Sequence, residues 1–188
     1  MKRFTMVLAA VALCVAAARP VMAQKAVGSL RYGVAAGVVM PMGDYNTADK
    51  LGFIGGVGAT YWLAGQPIGI RGDLSYSQTS HDPSTGLDGH TKIMGGMASV
   101  VYALNPARAP ARILLNAGVG FYNVKFDDAT LGSTSQSKLG FGGGAAVAFK
   151  MGTGSTRLIV GTRYTSVASD GSSRWNFLPI TVGLSFGK

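Results

Sequence analysis

From residue 29 onward, apolar and polar positions alternate in runs of ten or so residues, and the run recurs eight times. Period-two alternation makes one face of each segment greasy and leaves the other small or polar, the pattern of a strand. The spacing predicts strands over 29–40, 52–63, 68–79, 91–104, 111–126, 138–150, 156–168 and 176–186. Their connections alternate too. Those at 64–67, 105–110 and 151–155 are compact and rich in Gly, Pro, Asn and Ser, as tight turns require. Those at 41–51, 80–90, 127–137 and 169–175 are mostly longer and more polar.

Three segments show which residues share a face. In the third, Ile68, Ile70, Leu74 and Tyr76 oppose Arg71, Asp73, Ser75 and Ser77. In the sixth, Leu139, Phe141, Ala145, Val147 and Phe149 oppose Gly140, Gly142, Gly144 and Ala146. In the eighth, Leu178, Ile180, Val182, Leu184 and Phe186 oppose Thr181, Gly183 and Ser185. The second and fourth alternate too weakly for a face to be assigned. A soluble barrel turns its bulky face inward, whereas so many glycines on the other face suit a narrow, crowded lumen. The expected fold is therefore all-β: an eight-stranded antiparallel up-and-down transmembrane β-barrel, oily side toward lipid.

Aromatic residues give a second sign. Tyr32, Tyr61, Tyr102, Phe149 and Phe186 fall near one end of their strands, and Phe53, Tyr76, Phe121, Tyr164 and Phe177 near the other. Headgroup levels of a bilayer select two such belts. The stretch from Phe177 to Phe186, at about 3.3 Å rise per residue and roughly 40° tilt, spans about 23 Å, the height of a thin apolar band. Pro179 breaks the pattern, because it lacks a ladder donor; a bulge or an unpaired donor is expected beside it.

The amino terminus changes the picture from lipid to export. Lys2 and Arg3 precede the apolar run Met6–Ala18, and Val21-Met22-Ala23 supplies the small residues a signal peptidase reads. Residues 1–23 are expected to be a signal peptide cleaved after Ala23, leaving the barrel over 24–188. Cys14, the only cysteine, lies inside the signal, so the mature chain is expected to hold no disulfide. Charged residues are only 13% of the chain, about half the share of a soluble domain, and glutamate is absent. The formal charge of +9 would suggest nucleic acid in a cytosolic protein. In an exported one, anionic lipid headgroups are the expected counter-charge and no nucleic-acid partner is expected.

With these features together, the chain resembles the small outer-membrane β-barrel family, the OmpX/OmpA-like, porin-family eight-stranded barrels. The most specific piece is the ending, Thr181-Val182-Gly183-Leu184-Ser185-Phe186-Gly187-Lys188. Thr181, Gly183 and Phe186 look like the signal such barrels present to the barrel-assembly machinery; Lys188 departs from the usual terminal aromatic. The resemblance implies placement in the cell outer membrane; a barrel with both termini on the periplasmic side puts long loops outside and short turns inside, and no cofactor is expected.

Candidate chemistry is sparse. Arg31, Arg71, Asp73, Asn116 and Arg163 are expected to project into the lumen, where buried charges demand partners. They form either a hydrogen-bonded plug or a thin basic channel favouring anions; eight strands leave little room beyond side chains, which favours the plug. Lys50, Lys92, Lys125, Lys138 and Arg174 fall at outer strand ends, where they form either a ring for lipopolysaccharide phosphates or an ordinary solvated rim. His81, Asp82, Ser84, Asp88 and His90 crowd one outer loop, a composition that raises a hydrolytic or metal site. Catalysis needs rigid support, so a solvated loop is the preferred reading, with neither a metal nor catalytic residues expected. Gly140-Phe141-Gly142-Gly143-Gly144-Ala145 fits a dinucleotide fingerprint formally but lacks the helix that must follow it.

The leading expectation is a non-enzymatic envelope barrel serving integrity or surface interaction, its outer loops meeting an unknown extracellular ligand. A narrow solute channel, a lipid-modifying envelope enzyme and a soluble lipocalin-like barrel are the alternatives.

Overall fold

The computed structural model describes residues 28–47, 49–81, 89–128, 132–169 and 174–187. The signal segment with Cys14, the loop residues Asp82, Ser84 and Asp88, and Lys188 lie outside them. Eight strands form: β1 Ser29–Met42, β2 Gly52–Trp62, β3 Ile68–Ser80, β4 Gly89–Ala103, β5 Ala111–Asp128, β6 Gly132–Lys150, β7 Arg157–Ala168 and β8 Arg174–Gly187. Each pairs antiparallel with its sequence neighbour, and β8 returns to β1 from Arg31↔Gly187 to Met42↔Asn176, closing the barrel. Closure leaves no sheet edge at membrane depth, the condition for a β structure to cross lipid.

The barrel is inside-out relative to a soluble protein. Ile70, Leu74, Val119, Phe121 and Val182 are more than half exposed, and Phe149, Ile180, Leu184 and Phe186 nearly so. Ser75, Ser77, Gly118, Gly120, Gly140, Gly142, Thr181 and Ser185 of the same strands turn inward. Tyr32 and Phe186 stack at 6.4 Å between centroids near one rim, and Phe53 and Tyr76 at 6.2 Å near the other. The soluble lipocalin-like alternative is thereby removed, since its bulky face would be enclosed.

The turns at one end are tight. Met151 N–H donates to Thr156 O at 3.0 Å around Gly152, whose φ of +58° favours glycine. Asn105 ties the β4–β5 turn by accepting from Ile113 N–H at 2.9 Å and donating to Ala111 O at 2.6 Å. Both termini of the described barrel lie at this end, which the family architecture places in the periplasm.

Two local expectations are corrected, and two further points left open by the sequence are settled. Residues 127–137 are not a loop: β5 and β6 pair out to Asp128↔Gly132, so a two-stranded arm rises beyond the barrel. From the outer aromatic Phe121 to Asp128 it extends about 18 Å at strand rise and barrel tilt. Its run Ser133-Thr134-Ser135-Gln136-Ser137 lacks an apolar face because neither face meets lipid, so it reads as loop. Phe177 does not join the outer belt; it turns into the lumen, 3% exposed. Pro179 causes no bulge: the β7–β8 ladder lapses between Thr162↔Ile180 and Thr165↔Phe177 with its register unchanged. The Thr162 hydroxyl donates to the Pro179 carbonyl at 2.9 Å across that gap. Finally, the weak alternation of β2 and β4 reflects apolar residues on both faces. Ile54, Ile93 and Met97 fill the lumen while Phe53, Val57 and Met94 face out.

Candidate functional site

Those inward apolar residues divide the lumen into three layers. Toward the outer end, Val39, Ile54, Ile93, Met97, Tyr122, Val124, Val167 and Phe177 pack as one buried cluster, with Tyr45 above it. The Tyr122 ring meets Phe177 edge-on at 6.2 Å. Gly95 and Gly140 make room for it: a Cβ on Gly95 would stand 2.2 Å from Tyr122 Cδ1 and one on Gly140 2.9 Å from Cε2. That packing accounts for Gly140, while Gly142 leaves room for Met97 Cε and the Tyr164 carbonyl, and no dinucleotide-binding helix follows in mid-β6. At the periplasmic end a second cluster joins Trp62, Val101, Ala103, Leu114 and Ala148, with the Arg112 guanidinium 4.1 Å over the Trp62 ring.

Between the two lies a chamber of about 130 Å³ whose lining includes Arg71, Asp73 and Arg163. Asp73, 8% exposed, is its only carboxylate among the described residues. Arg71, two residues earlier on the same face of β3, reaches Asp73 Oδ1 at 2.6 Å through both Nε and Nη2. Arg163 crosses from β7 to Asp73 Oδ2 at 3.2 Å. Strands on distant parts of the circuit are thus tied through one carboxylate. Asn116 lines the same chamber, and its Oδ1 has no partner. Arg31 stands apart, nearer the periplasmic mouth. It donates to Ser185 Oγ at 3.1 Å, to Gly187 O at 3.3 Å and to Ser155 O. Of the five expected lumen residues, then, three meet as an ion-paired triad and two line its surroundings.

The outer mouth holds a network that no sequence pattern marked. Thr79 and Thr91 donate to Asp49 Oδ1 and Oδ2 at 2.7 and 3.0 Å. Each hydroxyl has one proton, so Tyr45 O–H must donate to Thr79 at 2.7 Å and His81 Nε2–H to Thr91 at 3.2 Å. All four donors point toward one buried carboxylate. Burial pushes the Asp49 carboxyl above its ordinary range, while the two threonines and the charge of His81 pull it back. The result is a stitch from the β1–β2 connection to β3 and β4. His81 is therefore a buried wall residue, whereas His90, paired with Asp127 across the β4–β5 ladder, is exposed. The two histidines do not converge. Thr79 continues the inward parity of Ser75 and Ser77, Thr91 lies on β4, whose faces the pattern left unassigned, and Asp49 carried no signal.

At the outer rim, Lys92 and Lys125 both bind Asp127, at 2.8 and 2.9 Å. Together they hold its carboxyl well below the usual carboxylate range. Arg174 lies 5.6 Å over the Phe141 ring. Lys50 is exposed, its backbone N–H bonded to Ser80 O at 2.9 Å, and Lys138 stands at the foot of the β5–β6 arm. The rim cations are therefore distributed around the mouth, two of them already joined to an acid. In the last strand Thr181 and Gly183 turn inward and Phe186 faces lipid, 44% exposed.

An eight-strand closed circuit, apolar outside and filled inside, defines a transmembrane β-barrel of the smallest class. Residues 6–186 match the family model of the outer membrane protein beta-barrel domain, and the chain belongs to that family. Its location is accordingly the outer membrane. The fold is similar to that of neisserial surface protein A, with a TM-score of 0.63 at 16% identity over 85% of this chain and 97% of that one. It is similar to Ail, the attachment invasion locus protein of Yersinia pestis (TM-score 0.50, 20% identity, 85% of this chain and 97% of that). The outer membrane enzyme PagL is similar at TM-score 0.51 and 13% identity, over 83% of this chain and 98% of that. No curated protein sequence matches.

Proposed function

We propose that this protein is a non-conducting, non-enzymatic barrel that serves envelope integrity or surface interaction through its outer connections and the β5–β6 arm. The observation that carries the reading is the filled lumen. Met97, Tyr122 and Phe177 close it above the Asp73 triad, and Trp62 with Leu114 narrow it below. A water path would have to pass the outer apolar layer, and hydrophobic constrictions shut pores by dewetting. The arm offers polar, exposed strand surface well above the lipid, where a surface ligand would meet it. Ail, named for attachment, carries its loops on the same fold.

The enzymatic alternative has the fold of PagL in its favour. The His81 and His90 side chains speak against it, since one is locked to Thr91 and the other faces away. As further parts of this proposal, the signal is cleaved after Ala23, and Thr181, Gly183 and Phe186 are read by the assembly machinery. Lys50, Lys92, Lys125, Lys138 and Arg174 meet lipopolysaccharide phosphates.

The test is planar-bilayer recording on the refolded barrel. The wild type is expected to give no sustained conductance, and the Met97→Ala/Phe177→Ala pair to give discrete openings. Steady wild-type openings would replace the reading with a channel.

A further inference from the structure

The lumen carries a charge imbalance that the plugged-barrel reading does not use. Arg31, Arg71 and Arg163 line the 130 Å³ chamber. A second cavity of about 30 Å³ lies on its periplasmic side, lined by Arg112 and Arg157 and sharing Arg31 and Arg71 with the first. Five guanidinium groups therefore face one carboxylate, Asp73, which Arg71 and Arg163 already occupy. The remaining cations find only neutral acceptors. Arg157 donates to the carbonyls of Ala107 and Ala109, at 2.7 and 3.4 Å, and Arg31 to those of Ser155 and Gly187.

Specific atoms are left over as well. The Nε–H groups of Arg112 and Arg163 are buried with no acceptor, and Asn116 Oδ1 is buried with no donor. A buried donor on a charged group costs more than a neutral one when unpaired. Water supplies acceptors but no charge. An oxyanion supplies both, and guanidinium forks bind it in pairs. The chamber has volume for such an ion with water around it, since one water needs only about 10–15 Å³ on this measure.

We propose that the periplasmic half of the lumen is a binding site for a small free oxyanion of the phosphate or sulfate class, held by Arg163 and Arg71 beside Asn116. The ion enters past Arg31, Arg112 and Arg157. Lipopolysaccharide phosphate is not the source, because the apolar layer of Met97, Tyr122 and Phe177 separates the chamber from the outer leaflet.

The probe is inorganic phosphate, measured by equilibrium dialysis against the refolded barrel in nonionic detergent, with chloride holding ionic strength constant. One saturable phosphate per barrel is expected. Arg163→Gln should weaken it tenfold or more, Arg163→Lys much less, and Arg108→Gln in the exposed β4–β5 turn not at all. Absence of saturation overturns the site, and so does an equal loss with Arg108→Gln, which would mark surface adsorption. Should Arg163→Gln fail to fold, phenylglyoxal labelling of the wild type decides: phosphate should slow modification of Arg71 and Arg163 severalfold while leaving Arg108 unprotected. Equal labelling with and without phosphate overturns the proposal. These outcomes are independent of conductance, so the site and the plug fail separately.

Discussion

Replacing Asp73 by Asn removes the charge through which β3 and β7 are tied across the lumen. Arg71 and Arg163 would then face each other and their arginine neighbours with no carboxylate. Breaking a buried pair by deleting one partner costs about 3–5 kcal/mol, because the remaining charge stays desolvated. Arg71 is 32% exposed and Arg163 20%, and the adjoining chamber admits water, so the low end applies. The expected loss is about 3 kcal/mol. With an unfolding slope of about 2 kcal/mol per molar urea, the midpoint falls by about 1.5 M. Trp62 and Trp175, in β2 and β8, report the transition by fluorescence in lipid vesicles. The change Asp73→Asn combined with Arg163→Gln should recover part of the loss, since it removes one stranded charge. A single variant within about 0.5 kcal/mol of wild type would refute the reasoning, showing that the lumen solvates these guanidiniums as well as Asp73 does.

Other expectations follow from the same geometry. Thr91→Val strips Asp49 Oδ2 and His81 Nε2 of their shared hydroxyl; a loss of about 1–3 kcal/mol and faster amide exchange at Asp49 and His81 are expected. Unchanged exchange there would count against the stitch. Asp127 has its folded pKa lowered by Lys92 and Lys125, so its contribution is present above the unfolded carboxylate value and lost as pH falls through the folded one. The melting gap between wild type and Asp127→Asn should therefore close on acidification, and shrink in 1 M salt, where screening acts within about 3 Å. Gly95→Ala must move the Tyr122 ring and should cost about 1–3 kcal/mol, whereas Gly72→Ala meets nothing within 4 Å and should not.

The fold was legible because lipid enforces a simple rule on every strand that crosses it. β3, β6 and β8 keep bulky and small residues on opposite faces, and their assignments hold residue by residue. Legibility fell where that rule stops acting. The β5–β6 arm stands in water, so Ser133–Ser137 shows no alternation and its pairing is invisible until the structure shows it. Phe177 belongs to the lumen plug because its parity matches Pro179 and Thr181, which an argument from aromatic position alone overlooks. The expectation of a small, polar interior holds for the middle layer only. Ile54, Ile93 and Met97 lie on strands whose two faces are both apolar, and only the closed circuit decides which face encloses the core. Asp73 and its arginines could be named from parity; that Arg31 instead binds carbonyls near the mouth depends on a height along the barrel that parity does not give. The Asp49 network joins three chain segments, so nothing local announces it.

The claim beneath all of this is that β8 turns alternate side chains to lipid and to a filled interior. It is tested by single cysteines at positions 180–185, labelled with a fluorophore in vesicles containing brominated lipid. Labels at Ile180, Val182 and Leu184 should be strongly quenched and those at Thr181, Gly183 and Ser185 weakly, with a period of two. Uniform quenching, or quenching in the opposite phase, would contradict it.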